Sequence, residues 1–94
     1  MNSLLEALQE YLALRRGLGF KMRDAGLLLP RFVAFMEEHQ AVHITTRLAL
    51  EWVHQAKTVQ PAEQARRLCF VRGFARYRSA TDPLTEVPSS RLLP

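Results

Sequence analysis

Ninety-four residues make one domain, large enough for a single core that buries roughly two thirds of the unfolded surface. An ordinary hydrophobic content of 48% argues against disorder, the lone Cys69 excludes an internal disulfide and fits a reducing compartment, and no run reaches the ~18 apolar residues of a membrane span. Net charge is +4, and it is uneven: residues 61–80 carry five arginines against Glu63 alone, whereas residues 1–60 hold seven basic and six acidic side chains. That asymmetry favours a polyanionic partner, nucleic acid ahead of an anionic membrane surface. Met1 opens directly into helix-like sequence without the basic region and apolar core of a signal peptide, which predicts a cytoplasmic protein.

Ser3 and Glu6 form a capping-box pattern, and Leu4, Leu5, Leu8, Tyr11 and Leu12 recur at helical spacing, so a first helix is expected from about Leu4 to Arg16. Gly17-Leu18-Gly19-Phe20 stops it, glycine supplying the left-handed geometry of a helix end. Arg15 and Arg16 lie in the last turn, where cations complement the dipole. A second helix is expected from about Met22 to His39, with Ala25, Leu28, Leu29, Phe32, Val33, Phe35 and Met36 on its apolar side. Pro30 removes a ladder hydrogen bond, which predicts a kink near Gly26 or a restart at Pro30. Arg23, Leu27, Arg31 and Ala34 share the opposite face and, with Lys21, make a basic ridge.

After an extended connector Ala41-Val42-His43-Ile44, Thr45 or Thr46 caps a third helix carrying Leu48, Ala49, Trp52, Val53 and Ala56. Lys57-Thr58-Val59-Gln60 reads as a turn, and Pro61 suits the first position of a fourth helix reaching about Ala80. On that helix Leu68, Val71 and Ala75 fall on one arc and Phe70, Phe74 and Tyr77 on another, the pattern of a helix with neighbours on two sides. The remaining face is small, with Ala62, Ala65, Cys69 and Gly73, and beside it Arg72 and Arg76 project one turn apart. Thr81-Asp82-Pro83 ends the helix, and the proline-bearing stretch to Pro94 reads as an extended linker. The expected architecture is all-α: a four-helix bundle of two packed hairpins around Phe32, Phe35, Trp52, Leu68, Val71 and Phe74, occupying residues 1–81, with a linker over 82–94.

Catalysis has little to stand on in these residues. There is no glycine-rich phosphate loop, no carboxylate pair in an apolar setting, and no Ser or Cys with an adjacent base. Tyr11 and Tyr77 have apolar helical neighbours and read as packing residues, and His54 as a surface histidine. His39 and His43 have a zinc-like spacing to which Cys69 could add, but they straddle a helix end and a fourth ligand is missing, so neither a metal nor any other cofactor is expected. A helix-turn-helix regulator could be sought in helices three and four, although their turn lacks the usual glycine.

Ala65-Arg66-Arg67-Leu68, Val71-Arg72-Gly73-Phe74-Ala75-Arg76-Tyr77 and the Asp82-Pro83 tail resemble the end of the N-terminal core-binding domain of tyrosine recombinases, the phage integrases. Tyr11-Leu12, Arg15-Arg16-Gly17-Leu18-Gly19-Phe20 and Arg31-Phe32-Val33-Ala34-Phe35-Met36 are similar to the opening of the same domain. The resemblance implies a sterile-alpha-motif-like four-helix domain that forms one half of a C-shaped clamp on double-stranded DNA, closed by a C-terminal catalytic domain and joined by other protomers. It implies that helices two and four face the DNA, through Lys21, Arg23 and Arg31 on one and Arg66, Arg67, Arg72 and Arg76 on the other. Arg72 or Arg76 would be the arginine to reach guanine, and Arg67, nearer the apolar arc, also suits anchoring of the bundle. The family's catalytic arginine, lysine, histidine-arginine cluster and tyrosine lie downstream of such a linker, so this chain is expected neither to cut nor to rejoin DNA and reads as an isolated or truncated domain. The rival expectation is a helical protein-interaction or oligomerisation module built on the leucine-rich first helix.

Overall fold

The computed structural model describes residues 3–55 and 59–92. Four helices follow in order, α1 (Leu4–Gly17), α2 (Arg23–Glu38), α3 (Thr46–Gln55) and α4 (Pro61–Ser79), with no strand among the described residues. The chain is all-α, as the periodicity predicts. It divides into two compact units, Met1–Val42 and His43–Pro94, in which α1 packs on α2 and α3 on α4. All six predicted core residues are buried. Of the expected helix-three end and turn, Ala56, Lys57 and Thr58 lie outside the described residues, as do Leu93 and Pro94 of the tail.

In the first unit the capping box forms: the Ser3 hydroxyl accepts from the Glu6 N–H at 3.1 Å, and the Ser3 N–H donates back to the Glu6 carboxylate. α1 then ends in a Schellman turn. The Gly19 N–H donates to the Arg16 carbonyl at 3.0 Å and the Phe20 N–H to the Arg15 carbonyl at 3.1 Å, with Gly19 at φ +101°, a conformation that glycine adopts without a side-chain penalty. α2 ends by the same device, the Gln40 N–H reaching the Glu37 carbonyl and the Ala41 N–H the Met36 carbonyl. Here Gln40, at φ 54°, stands where glycine would be easiest.

Pro30 does not restart α2, which runs unbroken from Arg23 to Glu38. The physical reason is local. Proline removes only the ladder bond to the Gly26 carbonyl, its ring lies on the exposed side, and buried Leu28, Leu29, Phe32 and Val33 hold the helix on either side of it.

In the second unit Thr45 is the cap of α3, its hydroxyl accepting from the Leu48 N–H at 3.2 Å, and Pro61 opens α4. The residues after α4 are non-helical yet tied down. Asp82 is buried and meets His43 Nδ1 at 2.7 Å. The Glu86 N–H donates to the Ile44 carbonyl at 2.8 Å, while the Glu86 carboxylate accepts from the Thr46 N–H at 3.0 Å in the first turn of α3, the dipole end that favours an anion. Pro88 is fully buried, and its carbonyl accepts from Arg72 Nε at 3.1 Å. Residues 82–88 thus form a strap that laces the start of α3 to the middle of α4.

Candidate nucleic-acid interface

The basic residues singled out by sequence sit in contrasting states. In the first unit Lys21, Arg23 and Arg31 are exposed, and their side chains have no partner among the described residues. The ridge predicted on α2 is intact, since Arg23, Leu27, Arg31 and Ala34 are all exposed. Arg31 therefore faces solvent despite its neighbour Pro30.

In the second unit most of the cations are engaged. Glu63 accepts from Arg66 Nη1 at 3.1 Å and from Arg67 Nε at 3.4 Å. Arg66 also lies over the Phe70 ring, 5.0 Å from its centroid. Arg67 is half-buried, in keeping with its position near the apolar arc. Arg72 is half-buried and bonded to the strap at Pro88. Arg76 is exposed, with no side-chain partner among the described residues. The small face of α4 is open: Ala62 and Cys69 are exposed and Ala65 and Gly73 half-exposed.

Two features escaped the sequence. The first is the strap, whose Asp82, Glu86 and Pro88 meet partners far away in the chain, His43, Thr46 and Arg72, with no spacing signal. Burial acts to raise the Asp82 pKa, but hydrogen bonds from the His43 ring and the Leu84 N–H outweigh it and hold the carboxyl below its ordinary 3.8. The second is an open cleft of about 640 Å³ at the turn between α1 and α2, lined by Arg16, Phe20, Lys21, Arg23 and Leu27 with Gly19 and Gly26 beneath. The Schellman turn builds it, placing Phe20 under Arg15, whose guanidinium carbon stands 4.1 Å from the ring centroid. Arg16 Nε donates to the Lys21 carbonyl at 3.4 Å, and its Nη2 occupies space 2.5 Å from where a Cβ on Gly26 would stand. Only glycine at 26 lets that guanidinium lie there. The signal that could have found the cleft was the Gly-x-Gly-Phe stop itself, which forces a ring against the preceding arginine.

Among the described residues no three His, Cys, Asp or Glu side chains come together as a metal site. His39 Nδ1 is 2.9 Å from the Phe35 carbonyl and His43 is bound to Asp82. No described helix is long and apolar enough to cross a membrane.

No family model and no solved structure matches the chain. A curated protein does: over all 94 residues the chain is 50% identical to "Putative integrase/recombinase y4rB" of Sinorhizobium fredii (strain NBRC 101917 / NGR234). The chain spans 30% of that protein's length, its N-terminal part. With half of its residues identical from end to end, the chain is similar to the N-terminal part of an integrase/recombinase, the class to which its helix-four and helix-one residues pointed.

Proposed function

We propose that this chain is the DNA-binding, core-binding-type domain of a tyrosine recombinase, a sterile-alpha-motif-like clamp half that grips double-stranded DNA in integration and recombination without itself performing catalysis. The observation that carries the reading is the end-to-end identity with the N-terminal part of an integrase/recombinase; the open cations Lys21, Arg23, Arg31 and Arg76 agree with it. Phosphate contacts from those four side chains supply most of the affinity and fix register, while base readout is limited. Arg76, exposed beside the small face of α4, is the arginine to reach guanine; Arg66, Arg67 and Arg72 are secondary ligands because each already has a partner. The other partners are the catalytic part of the full-length recombinase and neighbouring protomers on the same DNA, and the compartment is the cytoplasm.

Exposure of Leu14, Leu18 and Leu27 in the first unit, at 50%, 66% and 66%, favours a second reading as a protein-interaction module. Titration of labelled mixed-sequence duplex by fluorescence anisotropy at several salt concentrations separates the two. The clamp reading predicts a log–log salt dependence with a slope near one per phosphate contact; absence of binding at low salt, with self-association in light scattering, would favour the interaction module.

A further inference from the structure

The cleft between α1 and α2 joins cations that a duplex can also use to an aromatic platform that it cannot. Arg16, Lys21 and Arg23 place three cations on its rim, and no acidic residue lines it. Its other lining groups, Phe20 at 49% and Leu27 at 66% exposed, are apolar and accessible. A ligand that satisfies both halves carries a phosphate and, next to it, a flat apolar face. Within a duplex the base faces are stacked on one another and closed to a protein ring. In an unpaired strand they are open, and a basic groove with an aromatic platform is how proteins hold such strands.

The cleft is also pre-ordered. Arg15 lies against the Phe20 ring, and Arg16 bonds the Lys21 carbonyl over the space that the missing side chain of Gly26 leaves open, so part of the side-chain ordering is in place before binding. We propose that this cleft is a site for an unpaired nucleotide, its phosphate among Arg16, Lys21 and Arg23 and its base on Phe20. The inference extends the DNA-binding reading above by giving the first unit a second nucleic-acid form to hold: a frayed, nicked or single-stranded segment.

The test titrates the 94-residue chain with a short labelled oligothymidine and, separately, with a blunt mixed-sequence duplex. Oligothymidine binds the native chain. Phe20→Ala weakens that binding by about 5- to 100-fold and leaves duplex affinity within about twofold, while Phe20→Tyr, which keeps a ring, retains it. Gly26→Ala is the second variant. A Cβ there meets only the end of the Arg16 side chain, and alanine favours the helix, so the protein melts no lower than native yet holds oligothymidine more weakly because Arg16 is displaced. Duplex binding without oligothymidine binding, or an unchanged oligothymidine affinity in Phe20→Ala, would overturn the site. Oligothymidine binding without duplex binding would instead sink the clamp reading and support the cleft, and failure of both ligands would overturn both.

Discussion

The two units of this protein carry similar kinds of basic residue and treat them differently. In the first, Lys21, Arg23 and Arg31 stand exposed and unpartnered among the described residues. In the second, Glu63 holds Arg66 and Arg67, and the strap holds Arg72, which leaves Arg76 exposed. A count of arginines would place the centre of any polyanion-binding surface on α4, where five fall within residues 61–80. Under the proposed function, the unpartnered side chains move that weight toward the first unit, although Arg15 and Arg16 there are also engaged, by the Phe20 ring and the Lys21 carbonyl. The difference teaches that a cation's use depends on what it already holds: a guanidinium bonded to a carbonyl or carboxylate keeps its remaining N–H donors for a phosphate but has less freedom to aim them than an unpartnered one.

The sharpest way to break this comparison is to remove the strap. A variant ending at Thr81 loses the bonds of Asp82, Glu86 and Pro88 and the burial of Pro88. It should lose about 3 kcal/mol or more in chemical denaturation, and an unchanged midpoint would show that the second unit stands without it. A smaller step is Asp82→Ala, which leaves the Leu84 N–H without its acceptor and His43 without its anion; about 1.5–3 kcal/mol should be lost. The sign of its pH dependence follows from the lowered pKa. The folded carboxyl titrates below 3.8, so its contribution is intact above that value and disappears as pH falls through the lower folded value. Asp82→Asn should flatten that acid limb in denaturation curves recorded from neutral pH downward.

The first unit offers a change of opposite sign. Gln40 occupies the left-handed position of the turn after α2, where the equivalent turn after α1 has Gly19. Gln40→Gly should raise stability by about 1 kcal/mol, and a fall in the melting temperature would mean that the Gln40 side chain matters more than its backbone. Glu63→Gln should have the smallest effect on folding, about 0.2–1 kcal/mol, because the pairs it ends are partly solvated. Its effect on duplex binding should be a gain, since Arg66 and Arg67 lose the anion that holds them, and a loss of affinity would contradict the account.

Local chemistry made the helices legible. The Ser3–Glu6 box, the Gly19 stop, Thr45 and Pro61 each act within a few residues, and the apolar periodicity marked the buried rings now seen at Tyr11, Phe32, Phe35, Trp52 and Phe74. Of the two outcomes Pro30 offered, a kink near Gly26 or a restart, the restart does not occur, because four buried neighbours on the same helix outweigh one missing ladder bond. The basic residues were legible in identity and not in availability. Nothing in the order of the chain says that Arg72 meets a carbonyl sixteen residues on, or that His43 meets Asp82 across thirty-nine. Phe20 and Gly26 read only as a turn residue and a helix glycine, because the cleft they help form depends on a guanidinium, that of Arg16, laid across the backbone.

The central claim is that the exposed cations bind and the tied ones hold the fold. It is tested most directly by the salt dependence of duplex binding in single alanine variants. Lys21→Ala, Arg23→Ala, Arg31→Ala and Arg76→Ala should each weaken binding and lower the log–log slope by about one, with melting unchanged, whereas Arg72→Ala, a secondary ligand tied to the strap, should lower the melting temperature and change the slope by less than any of those four. A slope that falls for Arg72→Ala and stays fixed for Lys21→Ala, Arg23→Ala and Arg31→Ala would contradict it.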